Sequence, residues 1–236
     1  FEAVLQIGKY FGFENLVLPI YFIGFILFIL AGWLVKMNYL QVIKTSSRDV
    51  GMMIMLFMIL VTFSMFDWWE LALMFSLTGY ALYVMMKIDN RPFLPLIAQW
   101  AVPITMGLSA ASVGEEIRLH SSFYNDLLGI PGNLALAGIL LLVVSDGLRK
   151  TKEITLSRNA FFIGNVFYAA SLFYTFVFPI SNIYGESLIW FGGILMSLSL
   201  YKATRESMAA LISGVVSLVW YLISIASINE EILDFS

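Results

Sequence analysis

The chain has 236 residues, of which 60% are hydrophobic, 16% aromatic and only 12% charged. That is about half the usual charge and more apolar surface than one globular core can bury, so the chain reads as an integral membrane protein. The absence of cysteine excludes disulfides, thiolate nucleophiles and cysteine-held metals, the single histidine, His120, excludes a haem held by two histidines of this chain, and the net charge of -3 matters less than where the charges lie.

Residues 1–15 mix apolar side chains with Glu2, Lys9 and Glu14, a pattern suited to an interfacial segment rather than a span. Eight apolar runs follow, at Leu16 to Val35, Val50 to Phe66, Leu71 to Met86, Leu94 to Val113, Gly132 to Leu148, Ala160 to Ile180, Tyr184 to Tyr201 and Met208 to Ala226. Several are shorter than the roughly 20 residues that cross about 30 Å of hydrocarbon, so they are expected to extend into flanks such as Asp67-Trp68-Trp69-Glu70. Helices are the form expected, because open strands leave backbone groups unpaired in lipid. The fold class is therefore an all-α polytopic membrane protein with eight transmembrane helices.

The loops joining spans one to two, three to four, five to six and seven to eight hold Lys36, Lys44, Arg48, Lys87, Arg91, Arg149, Lys150, Lys152, Arg158, Lys202 and Arg205, eleven of the thirteen basic residues. The positive-inside rule places those loops in the cytoplasm and both termini outside, in a multi-pass protein of the cell membrane. Eleven of the sixteen acidic residues, among them Glu70, Glu115, Glu116, Glu230 and Glu231, then fall on the outer side.

Near the midpoint, Ala111-Ser112-Val113-Gly114-Glu115-Glu116-Ile117 returns 115 residues later as Ala226-Ser227-Ile228-Asn229-Glu230-Glu231-Ile232, with five of seven positions identical. Lys87 and Lys202 share that offset, so we read an internal duplication. Each half holds four spans, an even number, so the repeats are parallel and form two four-helix bundles over residues 16–117 and 132–236, joined by an extracytoplasmic connector over 118–131.

No charged residue lies near the middle of an expected span, which argues against a dedicated ion relay, and no lysine is placed for a mid-membrane Schiff base. The strongest polar cluster is Glu115, Glu116, Arg118 and His120. If the fourth helix continues past Gly114, Glu115 and Arg118 share one face and Glu116 and His120 another. A carboxylate beside an imidazole there suits proton exchange or hydrogen bonding to a quinone carbonyl. The plainer alternative is a solvated helix end with surface ion pairs. Glu70, in the outer turn between spans two and three, could join this group around an outer-leaflet pocket, or simply belong to a polar turn beside interfacial tryptophans. No ligand spacing supports a metal, and no triad, phosphate loop or catalytic motif is present. The sixth span holds Phe161, Phe162, Phe167, Tyr168, Phe173, Tyr174, Phe176 and Phe178, which suit either a flat ligand or lipid-facing packing.

Phe13-Glu14 before Leu18-Pro19, and Gly114-Glu115-Glu116-Ile117-Arg118 before Phe123-Tyr124, together with eight spans and external termini, resemble the membrane-anchor subunits of polysulfide reductase and dimethyl sulfoxide reductase. The turn between spans two and three is shorter than in that family, where a longer external loop carries quinol-site residues. The resemblance implies a non-catalytic subunit of an oxidoreductase-type respiratory complex, with no redox centre of its own, that holds an extracytoplasmic subunit and interacts with quinone. The expected cofactors are noncovalent, quinone and lipids, and the expected partners are membrane lipids and other subunits rather than nucleic acid. A small-molecule transporter or channel built from parallel repeats and the membrane input domain of a sensor are the alternatives.

The orientation is testable because the chain has no cysteine. Single cysteines replacing Arg48, Arg91, Arg158 or Arg205 should react with an impermeant reagent only from the cytoplasm, and cysteines replacing Glu115 or Glu230 only from outside. Labelling of positions 115 and 158 from the same face contradicts it.

Overall fold

The computed structural model describes residues 17–33, 41–88, 93–178, 180, 182–204 and 208–234. Among them there are nine helices and no strand: α1 Val17–Trp33, α2 Gln41–Met65, α3 Trp68–Ile88, α4 Phe93–His120, α5 Ser122–Leu127, α6 Gly129–Lys150, α7 Ile154–Val177, α8 Ile183–Thr204 and α9 Met208–Asp234. All but α1 and the six-residue α5 are long and apolar enough to cross a membrane, seven helices in all. The protein is therefore a multi-pass, all-helical membrane protein. The first apolar run forms α1, an apolar helix described over 17 residues and shorter than the seven candidate spans. The interfacial segment over 1–15 and the loop residues Lys36, Arg91 and Arg205 lie outside the described residues.

Most spans run past their apolar runs, as crossing about 30 Å of hydrocarbon requires. Helix α2 starts at Gln41, nine residues before the run at Val50, and α4 reaches His120, so the Glu115 group is helical. The sixth span behaves oppositely, because α7 stops at Val177 rather than at Ile180. Phe178 precedes a proline, which disfavours the helical conformation, and it adopts φ -127°, ψ 85°. The connector expected over 118–131 is mostly helix, with α5 capped by the Ser121 hydroxyl, which accepts from the Tyr124 N–H at 3.2 Å.

The chain divides into two compact units, Phe1–Ser109 and Ala110–Ser236, with the division inside α4. In the first, α1 and α2 form the closest pair. They meet at glycines: a Cβ on Gly51 would stand 2.6 Å from the Gly24 carbonyl oxygen, and one on Gly24 would stand 3.0 Å from that of Gly51. Tyr21, fully buried, reaches from α1 to α3, where its hydroxyl donates to the Met74 carbonyl at 2.7 Å. The Ser109 hydroxyl of α4 donates to the Ala72 carbonyl of α3 at 2.8 Å. With no water in hydrocarbon, hydroxyls that bond a neighbouring helix's carbonyls are the inexpensive way to bury polarity there.

The second unit repeats these devices. Helices α6 and α7 meet at Gly138 and Gly164, where a Cβ on either would stand 2.8 and 2.9 Å from the other's carbonyl oxygen. Ser145 and Ser157 donate reciprocally to each other's carbonyls, both at 2.8 Å. Tyr168 of α7 donates to the Ile189 carbonyl of α8 at 2.9 Å. Trp190 of α8 and Trp220 of α9 stack with centroids 6.0 Å apart.

The correspondence extends to register. Helix α8 begins at Ile183, 115 residues after α3 begins at Trp68. Asp67 and Asn182, 115 residues apart, each precede the helix and accept its first-turn N–H groups: Asp67 from Glu70 at 3.1 Å, Asn182 from Tyr184 at 3.0 Å and Gly185 at 3.2 Å. Met74 and Ile189 also share the offset, but the tyrosines that bond their carbonyls, Tyr21 of α1 and Tyr168 of α7, do not.

The glycine contacts predict a contrast. Gly51→Ala and Gly164→Ala should each lower stability in detergent by about 1–3 kcal/mol, since a methyl would overlap a facing backbone. Gly147→Ala, where a Cβ meets nothing within 4 Å, should be neutral or stabilising by up to about 1 kcal/mol from helix propensity. Equal effects at all three, measured by thermal unfolding, contradict the close crossings.

Candidate functional site

The most connected polar network in the second unit lies where α4 ends and α6 begins. On α4, Glu115 and Arg118 are one turn apart, and their side chains meet as a bidentate pair: Arg118 Nη2 donates to Glu115 Oε1 at 2.6 Å and Nε donates to Oε2 at 2.8 Å. Both side chains are largely buried, at 16% and 21% exposure, so the pair is screened less than a surface bridge. Asn133, in the second turn of α6 and 4% exposed, donates its amide to Glu115 Oε2 at 2.7 Å. Its own carbonyl oxygen accepts from the Tyr124 hydroxyl of α5 at 2.9 Å. Arg118 closes the circuit by donating through Nη1 to Asn125 Oδ1 at 2.8 Å. One carboxylate thereby ties α4, α5 and α6 together.

Gly114 permits this approach, because a Cβ there would stand 2.7 Å from Asn133 Oδ1. Burial first, and then the Glu115 carboxylate, push the Tyr124 phenol up to about 12, so it remains a proton donor throughout the physiological range.

Beside this network a pocket of about 460 Å³ opens at the helix ends. It is lined by Arg118, Asn125, Asp126, Gly129, Ile130, Pro131, Tyr174, Phe178, Ile180 and Asn182. The volume falls within the ~300–1,000 Å³ of small-molecule sites. The pocket exists because α7 ends early: Phe178, turned out of the helix, stands with its ring 5.0 Å from that of Tyr174. Asn182 spends its oxygen on capping α8, leaving its amide hydrogens as donors.

Of the five residues singled out from sequence, Arg118 lines the pocket and Glu115 stands behind it. Glu116 and His120 form a separate pair, with His120 Nδ1 at 2.9 Å from the Glu116 carbonyl oxygen and 3.4 Å from its carboxylate. The His120 side chain is 74% exposed, and neither residue lines the pocket. Glu70 belongs to the first unit, in the opening turn of α3. Among the described residues, no three His, Asp or Glu side chains are placed to hold a metal ion. Tyr174 and Phe178 stood out in the sequence as part of the sixth span's aromatic cluster. Asn133 did not, although an amide just inside an apolar run is a usable signal, since a polar group placed there needs partners.

No protein-family model matches the chain, and neither does any curated protein or any solved structure.

Asn133 gives the test of this geometry. Asn133→Leu leaves the Tyr124 hydroxyl without its acceptor and removes one of the two bonds to Glu115 Oε2, and should cost about 1–3 kcal/mol of stability. Tyr124→Phe should cost about 1 kcal/mol alone and almost nothing in the Asn133→Leu background. Additive losses in that double-mutant cycle contradict the shared bond.

Proposed function

We propose that the protein is an anchor subunit of a larger membrane complex, built by tandem duplication of a four-helix unit, and that its second unit receives the head group of a quinone at a membrane boundary. The observation that carries this reading is the pocket of Arg118, Tyr174 and Phe178 at the ends of apolar spans. There a tail can remain in lipid while the head reaches polar groups. The aromatic rings offer a flat face, and Arg118, with Asn182, offers hydrogen-bond donors to carbonyl oxygens. The duplication draws support from the 115-residue offset between the starts of α3 and α8 and between their caps, Asp67 and Asn182.

The buried polar residues, all Ser, Thr or Asn among the described residues, favour an anchor over a transporter. Many of their hydroxyls bond helix carbonyls. Resemblance to the polysulfide reductase and dimethyl sulfoxide reductase anchors adds the expectation of an extracytoplasmic partner. On the positive-inside rule the pocket faces that side, since it lies at the opposite end of α6 from Arg149 and Lys150.

Equilibrium binding of a short-tailed benzoquinone to the protein in lipid nanodiscs tests the pocket. Arg118→Gln should weaken binding about tenfold or more, as loss of a charged hydrogen-bond donor does. Tyr174→Leu should weaken it about three- to tenfold. Quinone binding that neither substitution alters, or no saturable binding by the wild type, contradicts the assignment.

A further inference from the structure

Arg118 is the one basic residue lining the pocket among the described residues, and its charge is already matched. Of its five N–H bonds, two go to Glu115 and one to Asn125, which leaves one on each terminal nitrogen. These can bond an incoming oxygen, but the guanidinium and Glu115, 2.6 Å apart, together carry no net charge. The lining also includes Asp126. An anionic head group entering here would gain no uncompensated cation and would lie near a second acidic residue. A neutral carbonyl oxygen can take the same N–H bonds. The aromatic pair Tyr174 and Phe178 does not discriminate between the two kinds of ligand.

We propose that Glu115 is the specificity-determining residue of the pocket: by neutralising Arg118 it restricts the site to uncharged, carbonyl-bearing head groups and excludes the carboxylates of fatty acids. This rests on the quinone reading of the pocket and adds to it a mechanism of selection, in which a residue that does not line the site decides what enters. Asn133 serves the same end, since its amide holds Glu115 Oε2 at 2.7 Å and keeps the carboxylate facing Arg118.

The test compares two probes of equal tail length, a decyl-substituted benzoquinone and decanoate at pH 8, titrated into the full chain in nanodiscs of zwitterionic lipid, with protein-free nanodiscs as blank. The wild type should bind the quinone at least tenfold more tightly than decanoate. In Glu115→Gln, which keeps shape and removes charge, the ratio of the two affinities should move at least tenfold toward decanoate. Glu115→Asp, which keeps the charge, should retain the quinone preference, and Glu115→Gln combined with Arg118→Gln should abolish the decanoate gain. A wild type that binds both probes alike, or a Glu115→Gln ratio within threefold of the wild type's, overturns the proposal while leaving the quinone pocket standing. If the wild type takes up neither probe, the quinone reading fails and this inference falls with it. Should Glu115→Gln not assemble, the wild-type ratio decides: a tenfold preference for quinone supports the proposal and equal binding overturns it.

Discussion

A hydrocarbon surrounding supplies no hydrogen bonds, and the polar side chains of this protein are arranged around that constraint. Ser109, Ser145, Ser157, Ser171, Tyr21 and Tyr168 all direct their hydroxyls to the backbone carbonyls of neighbouring helices. Glycine pairs bring the backbones near enough for hairpins to pack closely. The large departure among the described residues is the end of α4, where a carboxylate and a guanidinium are both mostly buried. Each offsets the other's charge, and Asn133 and Asn125 complete the pair's bonding.

The two units differ at the hairpin that borders the pocket. In the first unit α2 continues to Met65 and α3 follows after only Phe66 and Asp67. In the second, α7 ends at Val177 and five residues precede α8, and Phe178 stands beside Tyr174 in the lining of the pocket. The helix caps Asp67 and Asn182 hold their offset across that change. The pocket thus lies where the second unit differs from the first, beside the polar network of α4, α5 and α6.

Most of the helices could be read from the sequence because their apolar runs are long and their composition extreme, and the offset of 115 residues was visible in Lys87 and Lys202 and in the repeated Glu-Glu-Ile motif. The pairing of Glu115 with Arg118 followed from helical spacing alone. The partners of that pair were not legible, because Asn133 is close in space and not in helical register, and α5 is too short to carry a periodic signal. The early end of α7 was signalled by the proline after Phe178, but the apolar run continues past it and hydropathy alone overrode the signal. Glu116 and His120 share a face as spacing required, yet that face is the exposed one, which no local pattern decides.

Photoaffinity labelling tests the central claim most directly. A quinone carrying a photoreactive group on its head, activated in native membrane and mapped by peptide mass spectrometry, should label the segments around Arg118, around Asn125 to Pro131 and around Tyr174 to Phe178, and excess unlabelled quinone should suppress the labelling. Labelling confined to the first unit or to the lipid-facing side chains of α2 and α9, or labelling that excess quinone does not displace, would contradict a quinone site in this pocket.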